Sequence, residues 1–130
     1  MYASLRHYKM GAGSIDSLMH RVDEEFAPAL SREPGFVCYF ALDTGDGTVQ
    51  TISIFQDKNS AFRSNELSAE YVHDNLAEFE LTRTDVVAGE MLVSRLSPDL
   101  FEEMNRWRTE RTRRRRGWPR HAARSCARAR

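Results

Sequence analysis

Hydrophobic and polar positions alternate along Tyr2 to Met10, and Gly11-Ala-Gly13 then breaks the pattern, which predicts a first strand and a loop. Ser14 can cap a helix after that loop. Ile15, Leu18, Met19, Val22, Phe26 and Leu30 recur at helical spacing, with Asp16 in the first turn where the helix dipole favours an anion. Pro28 lacks a backbone N–H, so a kink or an early end is expected there, with Glu33-Pro-Gly35 closing the segment. The runs Phe36 to Leu42 and Thr48 to Phe55 are rich in β-branched and aromatic residues. Asp43-Thr-Gly-Asp-Gly47 between them supplies residues that tolerate positive φ, and a hairpin is predicted. Asp57 or Asn59 starts a second helix whose stripe reads Phe62, Asn65, Ala69, Val72, Leu76 and Phe79; Asn65 is its polar exception. Asp85 to Leu96 is again strand-like.

The order β-α-β-β-α-β predicts an α+β, ferredoxin-like domain over residues 1 to 96, with both helices on one face of a four-stranded antiparallel sheet. The other face then needs covering. Strand two sets Phe36, Cys38, Phe40 and Leu42 against Val37, Tyr39 and Ala41; strand three sets Val49, Thr51, Ser53 and Phe55 against Gln50, Ile52 and Ile54. Both faces of the sheet are largely apolar, so a two-fold partner copy is expected, giving a homodimer; the alternative cover is the chain's own C-terminal helix.

Charge divides the chain. Residues 1 to 96 carry 8 Lys+Arg against 15 Asp+Glu, and residues 97 to 130 carry 11 against 4, although the total is balanced at 19 each. The second segment is expected to hold one short helix around Leu100, Phe101, Met104 and Trp107, then an arginine-rich tail that is partly disordered. The arginines from Arg111 to Arg116, with Arg120, Arg124, Arg128 and Arg130, can serve as a solvated end, a tether to the acidic domain, or a contact for nucleic acid or an anionic membrane surface. No run approaches the ~20 apolar residues that span a bilayer. The N-terminus lacks a signal-peptide core, so a cytoplasmic protein with Cys38 and Cys126 as reduced thiols is expected.

No P-loop, GxGxxG, HExxH or CxxC motif is present, and His7, His20, His73 and His121 are scattered, so no metal site is predicted. Asn65 and His73 lie eight residues apart on the second helix, near one line facing the sheet, where they could orient a substrate or take a phenolic proton. They can equally be a bonded amide and a half-exposed imidazole. Tyr39 and Tyr71 can stack on an aromatic ligand or simply pack. Arg6 and His7 on the first strand should neighbour Glu90 on the fourth, giving a buried pair that is either structural or an acid-base device.

On Glu33-Pro-Gly-Phe36, on Ile52-Ser-Ile-Phe-Gln-Asp57 with Ala61-Phe62 after it, and on Gly89-Glu-Met-Leu-Val93, residues 1 to 96 resemble the antibiotic biosynthesis monooxygenase family of the dimeric α/β-barrel superfamily. The resemblance implies a homodimer with sheets face to face and a cleft between sheet and helices. It implies oxidation of a small aromatic or quinol-type compound by dioxygen, with no cofactor of the protein's own. Asn65 matches an asparagine that such enzymes place on the second helix, but the tryptophan that accompanies it there is absent. Relatives that degrade haem use a first-strand asparagine, a tryptophan and a histidine, of which only His73 has a counterpart. The sequence therefore supports two readings: a cofactor-independent monooxygenase with His73 and Asn65 as catalytic residues and Tyr71, Tyr39, His7, Arg6 and Glu90 around the substrate, or a non-catalytic small-molecule-binding or stress-associated dimeric module.

Overall fold

A computed structural model describes the backbone of residues 1–117 and the side chains of residues 1–114. Trp118, His121, Cys126 and the arginines at 120, 124, 128 and 130 lie outside the described residues. The chain divides into one unit over Met1–Leu92 and a second from Val93 onward.

The first unit has strands β1 (Tyr2–Lys9), β2 (Phe36–Gly45), β3 (Thr48–Phe55) and β4 (Thr82–Glu90), in the order β2-β3-β1-β4 with every neighbouring pair antiparallel. This is the ferredoxin-like arrangement that the element order predicts. The hairpin turn passes through Gly45, Asp46 and Gly47, all at positive φ. β4 begins earlier than its apolar pattern suggests and stops at Glu90, because its partner runs out: Tyr2 pairs with Glu90, and the Met91 N–H reaches the Met1 carbonyl. Residues 91–96 are irregular, and Leu92, Val93 and Leu96 are exposed.

Pro28 neither ends nor breaks the first helical segment. Helix α1 (Ile15–Arg21), capped by Ser14, passes into a π-helical turn at Val22–Phe26 and then into α2 (Ala27–Ser31). The widened turn, in which the Ala27 N–H bonds the Val22 carbonyl, gives the pyrrolidine ring a place where a missing donor does no harm. Helix α3 (Lys58–Asn75) starts at Asp57, whose carboxylate accepts from the Ser60 N–H at 2.8 Å. Its buried line is Ala61, Ser64 and Ser68; of the predicted stripe, Val72, Leu76 and Phe79 do pack into the core, whereas Phe62 is 46% exposed and Ala69 lies outside. Hydroxyls occupy that line because the sheet beneath them presents polar groups. A short 3₁₀ turn, Ala77–Phe79, comes next.

Two apolar clusters sit between sheet and helices. Tyr8, Leu18, Val49, Leu76 and Phe79 form one, and Phe26, Leu30, Phe55 and Ala61 the other. On β3, Val49, Thr51, Ser53 and Phe55 face the helices, as the alternation predicts. On β2 a bulge between Phe36 and Cys38 moves Phe36 to the helix side, opposite Phe55, while Cys38, Phe40 and Leu42 stay on the open side opposite Ile54, Ile52 and Gln50. With Leu5 of β1 and Val87 of β4 they make an apolar open face on which Phe40 is 40% and Val87 54% exposed.

In the second unit, helix α4 runs Leu100–Gly117, well past the short apolar stretch that ends at Trp107. No helix among the described residues is long and apolar enough to cross a membrane.

Gly13 and Gly45 separate two costs of adding a methyl group. Both have positive φ, but a Cβ at Gly13 would meet Phe79 at 2.7 Å whereas one at Gly45 meets nothing within 4 Å. Gly45→Ala is expected to lose about 1 kcal/mol and Gly13→Ala about 3 kcal/mol, from the backbone term plus the clash. Urea unfolding of the two variants checks this; equal losses would refute the steric account.

Candidate functional site

Strand β1 points Ser4, Arg6 and Tyr8 at the helices, in register with Ser53, Thr51 and Val49 of β3. Helix α3 lies over them with Ser64, Asn65 and Ser68 facing down. The result is a polar layer inside the domain. Arg6 is 0% exposed. Its Nε donates to Thr51 Oγ1 (3.2 Å), Nη1 to Ser64 Oγ (3.3 Å) and Asn65 Oδ1 (3.0 Å), and Nη2 to Ser53 Oγ (2.5 Å). All four acceptors are neutral, and Arg6 makes no ion pair among the described residues. Burial lowers its pKa, with the nearby Tyr8 and Tyr39 phenols acting the other way; a guanidinium nonetheless stays protonated.

Asn65 is held from the same side. Its Oδ1 also accepts from Ser4 Oγ at 2.5 Å, so one oxygen takes two donors. The Asn65 carbonyl accepts from Arg83 Nη1 at 3.1 Å, which ties α3 to β4.

Beside this layer is a cavity of about 30 Å³, room for about two water molecules. Leu18, Val22, Phe26 and Leu76 among others line it together with Tyr8, Tyr39, Tyr71, Thr51 and Ser68, and its wall is almost wholly apolar. Tyr8 and Ser68 bond each other at 2.6 Å. The Tyr39 phenol is pushed far up by burial, and that of Tyr71 to about 12, first by burial and then by the Glu25 carboxylate to which it donates. Both therefore remain protonated donors at neutral pH. Glu25 moves the opposite way: the Tyr71 hydrogen bond, and then Arg21, hold it below the usual carboxylate value. The Phe26 ring packs between Tyr39 (5.6 Å, edge-on) and Tyr71 (5.1 Å). A second depression, of about 180 Å³, lined by Glu33, Phe55, Asn59, Arg63 and Leu67 among others, contains none of the candidate residues.

Of the residues singled out from sequence, Tyr39 and Tyr71 line the cavity, and Arg6 and Asn65 lie together beside it. His73 does not join them. Its side chain is 89% exposed and, among the described residues, bonds the neighbouring Asp74. Eight residues overshoot two helical turns by about 80°, which rotates His73 away from the face that carries Asn65. His7 points to the open side of the sheet, opposite in sense to Arg6. The expected Arg6–Glu90 pair is absent: Glu90 is exposed and sits across from Tyr2, while Arg6 lies across from Val86. Sequence reasoning misses Tyr8 and the serines at 4, 53, 64 and 68. Their signal is the alternation of β1 and the i, i+4 spacing of Ser64 and Ser68, but hydropathy alone does not mark a buried serine. Among the described residues no group of His, Cys, Asp and Glu could hold a metal ion.

Two substitutions probe this geometry. Because Arg6 donates to four side chains that lie mostly buried, Arg6→Met should lose about 3 kcal/mol by leaving them unpaired, and Arg6→Ala about 5 kcal/mol by adding a cavity. Chemical unfolding decides it, and equal losses would mean that the hydrogen bonds dominate. Tyr71→Phe removes the largest influence lowering the Glu25 pKa, so that pKa should rise toward the ordinary value in a carbon-detected NMR titration. An unchanged midpoint would show that Tyr71 does not hold Glu25.

No protein-family model matches the sequence, and no curated protein matches it. Solved structures do. A candidate antibiotic biosynthesis monooxygenase from Deinococcus radiodurans is 15% identical, with a TM-score of 0.57 over 75% of this chain and 98% of its own. A mutant of MhuD with two manganese protoporphyrin IX molecules per active site is 17% identical, with a TM-score of 0.57 over 75% of this chain and 100% of its own. A dimeric ferredoxin-like protein from an uncultured marine organism is 9% identical, with a TM-score of 0.55 over 74% and 98%. At such identities the likeness is one of fold, and it places this chain among ferredoxin-like α+β domains of the kind that antibiotic biosynthesis monooxygenases adopt.

Proposed function

We propose that this chain is a homodimeric module that binds a small aromatic, phenol- or quinol-type molecule in the cavity between sheet and helices. The observation that carries this reading is the wall of the cavity: a partly open, almost wholly apolar space bordered by the rings of Tyr8, Tyr39, Tyr71 and Phe26, against which a flat aromatic molecule could pack. Entry requires widening, since 30 Å³ is far below the ~300 Å³ of an ordinary ligand pocket. Tyr71, half-buried and tied to Glu25, is the side chain best placed to move.

A second reading, oxidation of the bound molecule by dioxygen without a cofactor of the protein's own, is favoured by Arg6 and Asn65. A buried cation held behind the wall, bonded to the lining residue Thr51 and to Asn65, would favour the anion of a phenolic substrate, the form that gives up electrons most readily. The cavity itself supplies no base for the deprotonation, which is why binding is the primary reading. Assembly uses the open face: Leu5, Phe40, Ile52, Ile54 and Val87 expose apolar area that a second copy would cover across a two-fold axis.

Hydroquinone- and anthrone-type phenols titrated into ¹³C-methyl-labelled protein should shift Leu18, Val49 and Leu76 saturably; a panel that leaves these methyls unmoved would sink the ligand assignment. If the second reading holds, metal-stripped protein takes up dioxygen above the spontaneous rate, Asn65→Ala lowers that uptake about tenfold or more, and His73→Ala leaves it unchanged. Light scattering tests the assembly. The native chain should have the mass of a dimer and Val87→Glu that of a monomer, while a native monomer would point to a cover from within the chain.

A further inference from the structure

Helix α4 joins large apolar residues to arginines: Leu100, Phe101, Met104 and Trp107 in the first two turns, then Arg106, Arg108, Arg111 and Arg113 to Arg116. The apolar residues are not hidden; Phe101 is 80%, Trp107 55% and Met104 37% exposed. At about 100° per residue, Leu100, Phe101, Met104, Trp107, Arg108 and Arg111 fall within an arc of about 120°. Glu102, Glu103 and Glu110 all fall outside that arc. The Arg111 guanidinium lies over the Trp107 ring, 5.7 Å from its centroid, so cation and aromatic occupy one face.

We infer that this face of α4 docks on an anionic lipid surface. Such a surface offers both things the face needs: an apolar layer at headgroup depth for Phe101, Met104 and Trp107, and negative charge for the arginines. The carboxylates outside the arc are then turned toward water. Nucleic acid answers only half of this pattern, because phosphates and bases give Leu100 and Met104 nothing to bury against. The apolar arc is too short and too charged to span a bilayer, so the helix lies in the interface. The unit from Val93 onward would thereby hold the acidic first unit near a membrane whose charge that unit alone would be repelled by.

The test uses the full chain in a Trp118→Phe background, so that Trp107 is the only tryptophan. Sedimentation is measured with vesicles of phosphatidylcholine, with and without phosphatidylglycerol, at low and high salt. Partition into the phosphatidylglycerol vesicles only, with a blue shift of Trp107 emission, is expected. Arg108→Gln and Arg111→Gln should each lower it about fivefold, and Phe101→Ser should lower it while the circular dichroism stays unchanged. No partition, equal partition into both vesicles, or an Arg111→Gln variant that binds as well as the native chain would overturn the inference. So would tighter binding to a fluorescent oligonucleotide duplex or single strand than to the anionic vesicles.

Discussion

A guanidinium without a counter-charge, sealed between a sheet and a helix, is the constraint around which this domain is arranged. Moving an ion out of water costs several kcal/mol even after relaxation, and a hydrogen bond to a charged group returns about 1.5–3 kcal/mol. Arg6 therefore needs all of its four bonds, and they come from three elements: Thr51 and Ser53 on β3, Ser64 and Asn65 on α3, with Arg6 itself on β1. A shift of α3 by one residue, or of the β1–β3 register by one, would turn these acceptors away and leave the charge unsatisfied. The polar layer fixes how the apolar layers meet.

The consequences extend to the cavity. Because Ser68 answers Tyr8, and Thr51 answers Arg6, these hydroxyls beside the cavity are already oriented. Asn65 is oriented in the same way by Ser4 and Arg6. Groups bonded in this way hold their geometry without a ligand, whereas Tyr71 is tied only through the exposed Glu25 carboxylate. The π turn at Val22–Phe26 contributes to the same wall, since Val22 and Phe26 both reach the cavity. Its wider radius absorbs Pro28 while keeping Phe26 between Tyr39 and Tyr71.

The open face of the sheet obeys a simpler logic. Helices cover one side only, so the alternation that buries Val49, Thr51, Ser53 and Phe55 leaves Ile52 and Ile54 with Phe40, Leu42 and Val87 on the other. One bulge decides that Phe36 belongs to the inside and Cys38 to the outside. An apolar face of this kind asks for a second layer.

By itself the sequence determined the element order, the α+β class, the hairpin with its positive-φ turn, and the helix cap at Ser14, and it narrowed the second cap to Asp57 or Asn59, because these depend on local periodicity and on short-range backbone chemistry. It also marked Arg6, Asn65, Tyr39 and Tyr71 as residues worth attention. Only the tertiary structure decided which of the candidates meet. His73 and Asn65 looked aligned because eight residues are near two turns, yet the remaining rotation puts one in water and the other against Arg6. Arg6 and Glu90 sat on neighbouring strands, but Glu90 pairs with Tyr2 rather than Arg6, and that register left the arginine to neutral partners. Ser4, Ser53, Ser64 and Ser68 carry no hydrophobic signal, and their burial becomes intelligible only once the cation they surround is in place. Periodicity is a property of neighbours along the chain, whereas register, bulges and the satisfaction of a buried charge are properties of neighbours in space.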